Sequence, residues 1–258
     1  MSRCRQIGLL ALLLAACTGG GTEPPPVDLP IIAVGVARLD RSPVQNLGGY
    51  LAFFFDADNN RLLTAEVEIN QDPVNEIIEP GVVEGPIYFR GRLVRANETY
   101  RLVATIHALE GDIQVSSPSI VAPAVFEMQA PAVHPANQPL VVTWDPVPNA
   151  QAFQIEVLQT GFRDTVSAAA TSYSTLAPAG ATSFTIPASA FAGLRPGDTT
   201  EIEVTAFNSF YVSLAEIGTL QDAEEAVLRF GSAENITGGG ARGSFGVATS
   251  VGSIVTIQ

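Results

Sequence analysis

Residues 140–157 decide the fold of this chain: Leu140-Val-Val-Thr-Trp144-Asp-Pro-Val-Pro-Asn-Ala150-Gln-Ala-Phe153-Gln-Ile-Glu-Val157. A short apolar run ending at a tryptophan is followed by a Pro- and Asn-containing turn. Beyond it, Phe153, Ile155 and Val157 alternate with Gln154 and Glu156. A period of two marks a β-strand, and alternation with polar residues predicts one face in a core and one in water.

Working outward, the same period recurs. Ala65, Val67 and Ile69 alternate with Thr64, Glu66 and Glu68; Tyr100, Leu102, Ala104 and Ile106 alternate with Thr99, Arg101, Val103 and Thr105; Ile202, Val204 and Ala206 alternate with Glu201, Glu203 and Thr205. Gly, Pro, Asn and Asp separate these runs from Ile31 onward at the spacing of an all-β body. On this reading the acid pairs Glu66 with Glu68 and Glu201 with Glu203 face solvent, with ordinary pKa values and no pocket.

Two strands share their lead-in. Arg95-Ala-Asn-Glu-Thr-Tyr100-Arg-Leu-Val-Ala104 and Arg195-Pro-Gly-Asp-Thr-Thr200-Glu-Ile-Glu-Val204 align at an offset of one hundred residues. The repeat predicts two tandem immunoglobulin-like β-sandwiches, residues 31–122 and 123–258. Their boundary falls in the proline-spaced stretch Ser117 to Pro123, extending toward Pro131, where alternation lapses.

The second unit resembles a fibronectin type III domain: Leu140 to Trp144 is similar to its second strand with the core tryptophan, Phe153 to Val157 to its third, and Thr182 to Pro187 and Leu194 to Ala206 to later positions. The family's corner tyrosine falls at Thr200, while the equivalent place in the first unit holds Tyr100. The first unit, with Gly85-Pro-Ile-Tyr-Phe-Arg90-Gly-Arg-Leu and Asn97 to Leu102, resembles a prealbumin-type or carboxypeptidase-regulatory sandwich. After Phe207 an insertion, residues 208–242, contains a predicted short helix, Leu220 to Phe230, capped by Thr219 and Asp222 and stopped by Gly231. A tail from Asn235 to Gly246 then leads into a final strand, Val247 to Ile257.

The N-terminus reads as an export signal. Arg3 and Arg5 precede an apolar stretch, Ile7 to Ala16, that is too short to span a bilayer as a helix. Leu14-Ala-Ala-Cys17 resembles the lipobox of bacterial lipoproteins, which implies cleavage after residue 16 and lipidation of Cys17. Thr18 to Pro30 (residues 17–30 with the cysteine) is then a Gly- and Pro-rich tether. Thr18, where an Asp would signal inner-membrane retention, favours the outer membrane by the same resemblance. The order of lipobox, regulatory-type sandwich, fibronectin-like unit and Asn235-Ile-Thr-Gly-Gly-Gly tail resembles an uncharacterised family of bacterial outer-membrane lipoproteins, whose likeness implies no particular activity.

Composition narrows the chemistry. All 13 basic residues are Arg, against 26 acids, so the chain lacks the basic footprint of a nucleic-acid binder. Without the signal the net charge is 11 − 26 = −15, and attachment to an anionic surface has to come from the lipid. The absence of Lys removes Schiff-base and phosphate-loop lysine chemistry. Of the cysteines, Cys4 and Cys17, cleavage leaves only the acylated one, so no disulfide or thiolate nucleophile is expected.

Candidate sites are few. Asp56-Ala-Asp58-Asn-Asn60 opens like a calcium loop but has Arg61 at the turn-glycine position and Val67 at that of the bidentate acid, which favours a polar turn between strands Tyr50–Phe55 and Leu62–Ile69. Gly238 to Ser244 imitates a phosphate loop without its Lys, so a glycine bulge or close backbone packing is expected. Arg90, Arg92, Arg95 and Arg101 form a basic cluster able to fork onto carboxylate, phosphate or sulfated sugar, weighed against a solvated strand face. His107 and His134 fall in different units and are expected at strand ends facing water, with neither zinc ligands nor a nucleophile elbow beside them.

These readings predict no catalytic residue, no metal and no cofactor. The expected function is a non-enzymatic binding module held at the cell envelope by Cys17, with a protein partner or a glycan. The alternatives are an accessory subunit of an outer-membrane transport or secretion system docking through residues 208–242, and an unrecognised hydrolase.

Overall fold

The computed structural model describes residues 31–41, 48–56, 65–78, 87–91, 94–159, 171–211 and 234–258. The signal, Cys17, the tether, Asp58, Asn60, Arg92 and the predicted helix Leu220 to Phe230 lie outside the described residues. Apart from one short 3-10 turn, Ala188–Phe191, every described element is a strand. The first half of the chain holds β1 (Ile32–Arg41), β2 (Gly49–Phe55), β3 (Ala65–Ile69), β4 (Asp72–Pro73), β5 (Glu76–Ile78), β6 (Ile87–Gly91), β7 (Thr99–Tyr100), β8 (Leu102–Ala108), β9 (Gly111–Ser116) and β10 (Ile120–Val121). The second holds β11 (Met128–Gln129), β12 (Val133–His134), β13 (Leu140–Trp144), β14 (Ala152–Gln159), β15 (Thr171–Pro178), β16 (Ser183–Ile186), β17 (Thr199–Asn208) and β18 (Arg242–Ile257).

A nine-stranded sheet, in the order β15-β14-β17-β18-β1-β2-β6-β5 with β12 added beside β18, runs through both units. Two smaller sheets pack on one of its faces. The four-stranded sheet β4-β3-β8-β9 encloses a first core with Ala33, Ala37, Tyr50, Phe54, Val67, Leu102, Ile106, Phe245 and Val247. The three-stranded sheet β11-β13-β16 encloses a second with Val142, Trp144, Phe153, Ile155, Ile202, Val204, Val251, Val255 and Ile257. The second sandwich thus has three strands on four, the seven of an immunoglobulin-like domain, with Trp144 in its core as the fibronectin likeness implies.

β18 joins the two. It starts at Arg242 rather than Val247 and runs for 16 residues, about 50 Å at 3.3 Å per residue. It pairs in parallel with β1, Ile32↔Arg242 to Arg41↔Val251, and antiparallel with β17, Thr199↔Thr256 to Asn208↔Val247. Its odd-numbered residues supply both cores, Phe245 and Val247 to the first and Val251, Val255 and Ile257 to the second. Between residues 244 and 252 its even-numbered residues on the other face are small: Ser244, Gly246, Ala248, Ser250 and Gly252. They leave a shallow lane, and a Cβ on Gly246 would overlap the Phe210 carbonyl, so the backbone leaving β17 lies directly against this lane.

The repeated lead-in is a repeated turn. Asn97 and Gly197 both adopt positive φ, 61° and 95°, which Asn and Gly tolerate best. The Tyr100 hydroxyl accepts the Arg95 backbone N–H at 2.8 Å, whereas the Arg195 N–H is met by Asp198 Oδ2 at 2.7 Å. Thr200 turns inward and donates to the Leu158 carbonyl at 2.8 Å. The two units close the same turn with different groups.

The connector between the units is bonded on both sides. Ala122 exchanges backbone hydrogen bonds with Asn97 and Glu98 of the first unit, while Asn208 Nδ2 donates to the Val121 carbonyl and Thr249 Oγ1 to that of Pro123. Two expectations change here. β2 and β3 do not form a hairpin: β2 pairs with β1 and β6, and β3 with β8, in different sheets. β14 and β17 have no watery face either, because the second face of the large sheet is also buried, with Ile32, Val34, Val36, Leu51, Phe53, Phe55, Phe207, Phe210 and Tyr211 forming a third apolar cluster.

Candidate functional site

The polar end of that second face gathers buried charged side chains. Strand register puts Arg38 and Asp40 of β1, Ser250 of β18, Glu203 and Thr205 of β17, and Gln154 and Glu156 of β14 on one surface. Arg38 is 5% exposed, Asp40 8%, Glu156 2%, Glu201 0% and Glu203 1%, so Glu201 and Glu203 are interior groups, contrary to the solvent face read from their alternation. The alternation itself is real; what covers the face decides whether it is wet.

Arg38 reaches over the small residues of β18 to a strand two places away. Its Nη2 donates to both Glu203 carboxylate oxygens at 2.8 Å and lies 3.3 Å from Asp40 Oδ2, and its Nη1 donates to the Tyr211 hydroxyl at 2.8 Å. The guanidinium carbon sits 5.7 Å from the centroid of the Tyr211 ring. Thr205 Oγ1 donates to Glu203 Oε1 at 3.0 Å and lies 2.8 Å from Ser250 Oγ. Charge-assisted bonds of this kind are the strong ones, and they offset part of the cost of taking ions out of water.

Glu203 also faces Glu156 directly across the β14–β17 pair, and like charges so placed oppose each other. Burial pushes the Glu203 carboxyl above its ordinary range; Arg38 pulls it down and Asp40 adds to the rise. Burial works against the Arg38 charge, but Glu203, Tyr211, Asp40 and Glu156 together raise its pKa further. Burial likewise lifts the Tyr211 phenol well above its usual value. Buried as they are, these groups link strands of the two units through Arg38 and Glu203.

Arg90, Arg95 and Arg101 each make local contacts. Arg90 bonds the Pro73 carbonyl and pairs with Asp72 at 3.2 Å. Arg95 pairs with Glu98 at 3.4 Å, and Arg101 donates to the Ser117 carbonyl at 3.1 Å and to Ser116 Oγ at 3.2 Å. Arg92 and Cys17 lie outside the described residues.

His107 is a surface group of the four-stranded sheet, its Nδ1 2.8 Å from Asp112 and its Nε2 3.7 Å from Glu66; the Asp112 hydrogen bond raises its pKa, with smaller contributions from the Asp112 and Glu66 charges. His134 is buried instead of facing water, its Nε2 2.9 Å from the Gln138 carbonyl and its ring 5.1 Å from that of Phe191. Asp56 is buried at the end of β2. The glycines of 238–240 all take positive φ in the turn before β18, and a Cβ on Gly243 would overlap Ala33 backbone, the close packing expected of them.

No protein-family model and no curated protein matches the chain. Among solved structures, it is similar to the chicken CNTN1 FN1-FN3 domains, with 14% identity, a TM-score of 0.24 and coverage of 72% of this chain and 61% of that one. It is also similar to a cytokine receptor complex chain, with 10% identity, a TM-score of 0.27 and coverage of 87% and 95%. The chain thus spans less than two thirds of the first of these. The fibronectin-like character of the second unit rests on its own seven strands and core tryptophan.

Proposed function

We propose that this protein is a lipoprotein of the cell envelope, lipidated at Cys17 and favoured for the outer membrane, whose β body serves as a non-catalytic binding module for an envelope protein. The observation that carries this reading is Leu14-Ala-Ala-Cys17 at the end of a short apolar signal, joined by a proline-rich tether to tandem sandwiches. Support comes from the body's construction: the turns at the ends of its strands sit on a continuous sheet, and a rigid scaffold with variable loops is a common platform for recognition. The acids of the Arg38 cluster are taken up by the interior, which leaves them to architecture. Function on such a fold belongs to its surface sites and not to the fold.

The test has two parts. Cells fed a radiolabelled fatty acid should label the wild-type protein and not Cys17→Ser, and the variant should leave the membrane fraction. Cross-linking in intact cells should then capture a stoichiometric envelope protein with the wild type. Equal labelling of both forms overturns the anchor, and recovery of the well-expressed protein alone overturns the protein-partner reading in favour of a glycan.

A further inference from the structure

We infer that the two sandwiches are one cooperative folding unit closed by the C-terminal strand, so that neither core is complete until residues 242–257 are in place. β18 lies inside the large sheet, between β1 of the first unit and β17 of the second. Without it β1 and β17 each lose one neighbour along ten register pairs, and exposed edges of that length invite wrong pairing. The loss reaches both cores together. Phe245 and Val247, each 0% exposed, come out of the first, while Val251, Val255 and Ile257 come out of the second.

Further links cross the joint. Arg38 of β1 is bonded to Glu203 of β17 over the small residues of β18, and the connector at Val121–Pro123 is tied to both units. A chain cut before residue 242 would have the ten described strands of its first half and still lack two of the residues that fill their core. For an exported chain, a premise taken from the proposed function, both cores therefore stay open until β18 has passed the membrane. The cooperativity itself does not depend on that premise.

Trp144, the sole tryptophan, lies in the second core and Phe245 in the first, which allows a direct test in the full chain. In Phe245→Leu, urea unfolding followed by Trp144 emission should shift to a lower midpoint, by the same amount as the transition followed by far-UV circular dichroism. In the milder Val255→Ala, hydrogen exchange should accelerate by the same factor in Leu102–Ala108 of the first unit as in Phe153–Val157 of the second. Should Phe245→Leu fail to fold, loss of native Trp144 emission is the expected result in its strongest form. An unmoved Trp144 transition, two separate transitions, or faster exchange confined to the second unit in Val255→Ala would overturn the inference.

Discussion

Replacing Arg38 by Met removes the guanidinium while keeping a side chain able to cross the β18 lane. Glu203, 1% exposed, then loses the cation that meets both its oxygens at 2.8 Å, and Asp40 loses a partner at 3.3 Å. Both members of the main pair are interior, so solvent screening gives little relief. Orphaning one charge of a buried pair costs about 3–5 kcal/mol, a large part of the roughly 5–15 kcal/mol that holds a domain folded. At about 2–4 °C per kcal/mol for a chain of this size, the melting temperature should fall by roughly 10 °C at pH 7. Urea unfolding monitored by Trp144 emission measures the loss. The double variant Arg38→Met with Glu203→Leu should recover part of it, because the stranded carboxylate is gone. As pH is lowered toward the ordinary carboxylate range the single variant's deficit should shrink, since burial raises the Glu203 pKa and a protonated carboxyl needs no cation. A single variant within about 1 kcal/mol of wild type, a scale typical of exposed ion pairs, would refute the reasoning, as would single-variant losses that simply add in the double.

Other outcomes follow from the same geometry. Glu203 has a raised folded pKa, so the folded state holds its proton where the unfolded chain has released it; its contribution is complete below the ordinary carboxylate pKa and is lost as pH rises through the folded value. Chemical denaturation from pH 5 to 8 should therefore show a fall in stability that Glu203→Gln flattens, and identical pH profiles for the two proteins would exclude it. Tyr100→Phe removes the hydroxyl that meets the Arg95 N–H and should cost about 0.5–1.5 kcal/mol in thermal unfolding, with no loss meaning that the turn holds without it. The His107 ring should titrate above the ordinary histidine value in a proton NMR experiment and move down in Asp112→Asn. Its contribution to stability is present below the unfolded pKa and disappears as pH rises through the folded one; an unmoved midpoint in the variant would show that Asp112 is not the cause.

The features legible in the sequence are local ones. A period of two over Leu102 to Ile106, a tryptophan in the second unit and a shared turn at Asn97 and Gly197 each depend on a few neighbouring residues, and each is found in the structure. What escaped is long-range. Glu203 looks solvated beside its neighbours because Arg38, which compensates it, is 165 residues away. The available signal was Arg38 itself, a charged residue late in the otherwise apolar run from Ile31 to Leu39, which calls for a counter-ion once that run is buried. The shared sheet was equally hidden, although the small even-numbered residues of 244–252 mark a strand with one thin face. His134 was misplaced because a lone histidine carries no sign of the Phe191 ring against which it packs.

The parallel alignment of β1 and β18 has a mechanical consequence. The chain enters the sheet at Ile32, beside Arg242, and β18 ends at Ile257 at the opposite pole. If a lipid at Cys17, as proposed, pulls on the start of β1 while a partner holds the far end of β18, the tension runs along the strands. The hydrogen bonds between Ile32–Arg41 and Arg242–Val251 are then loaded in shear and must yield together, where a hairpin pulled from its open end would unzip one bond at a time.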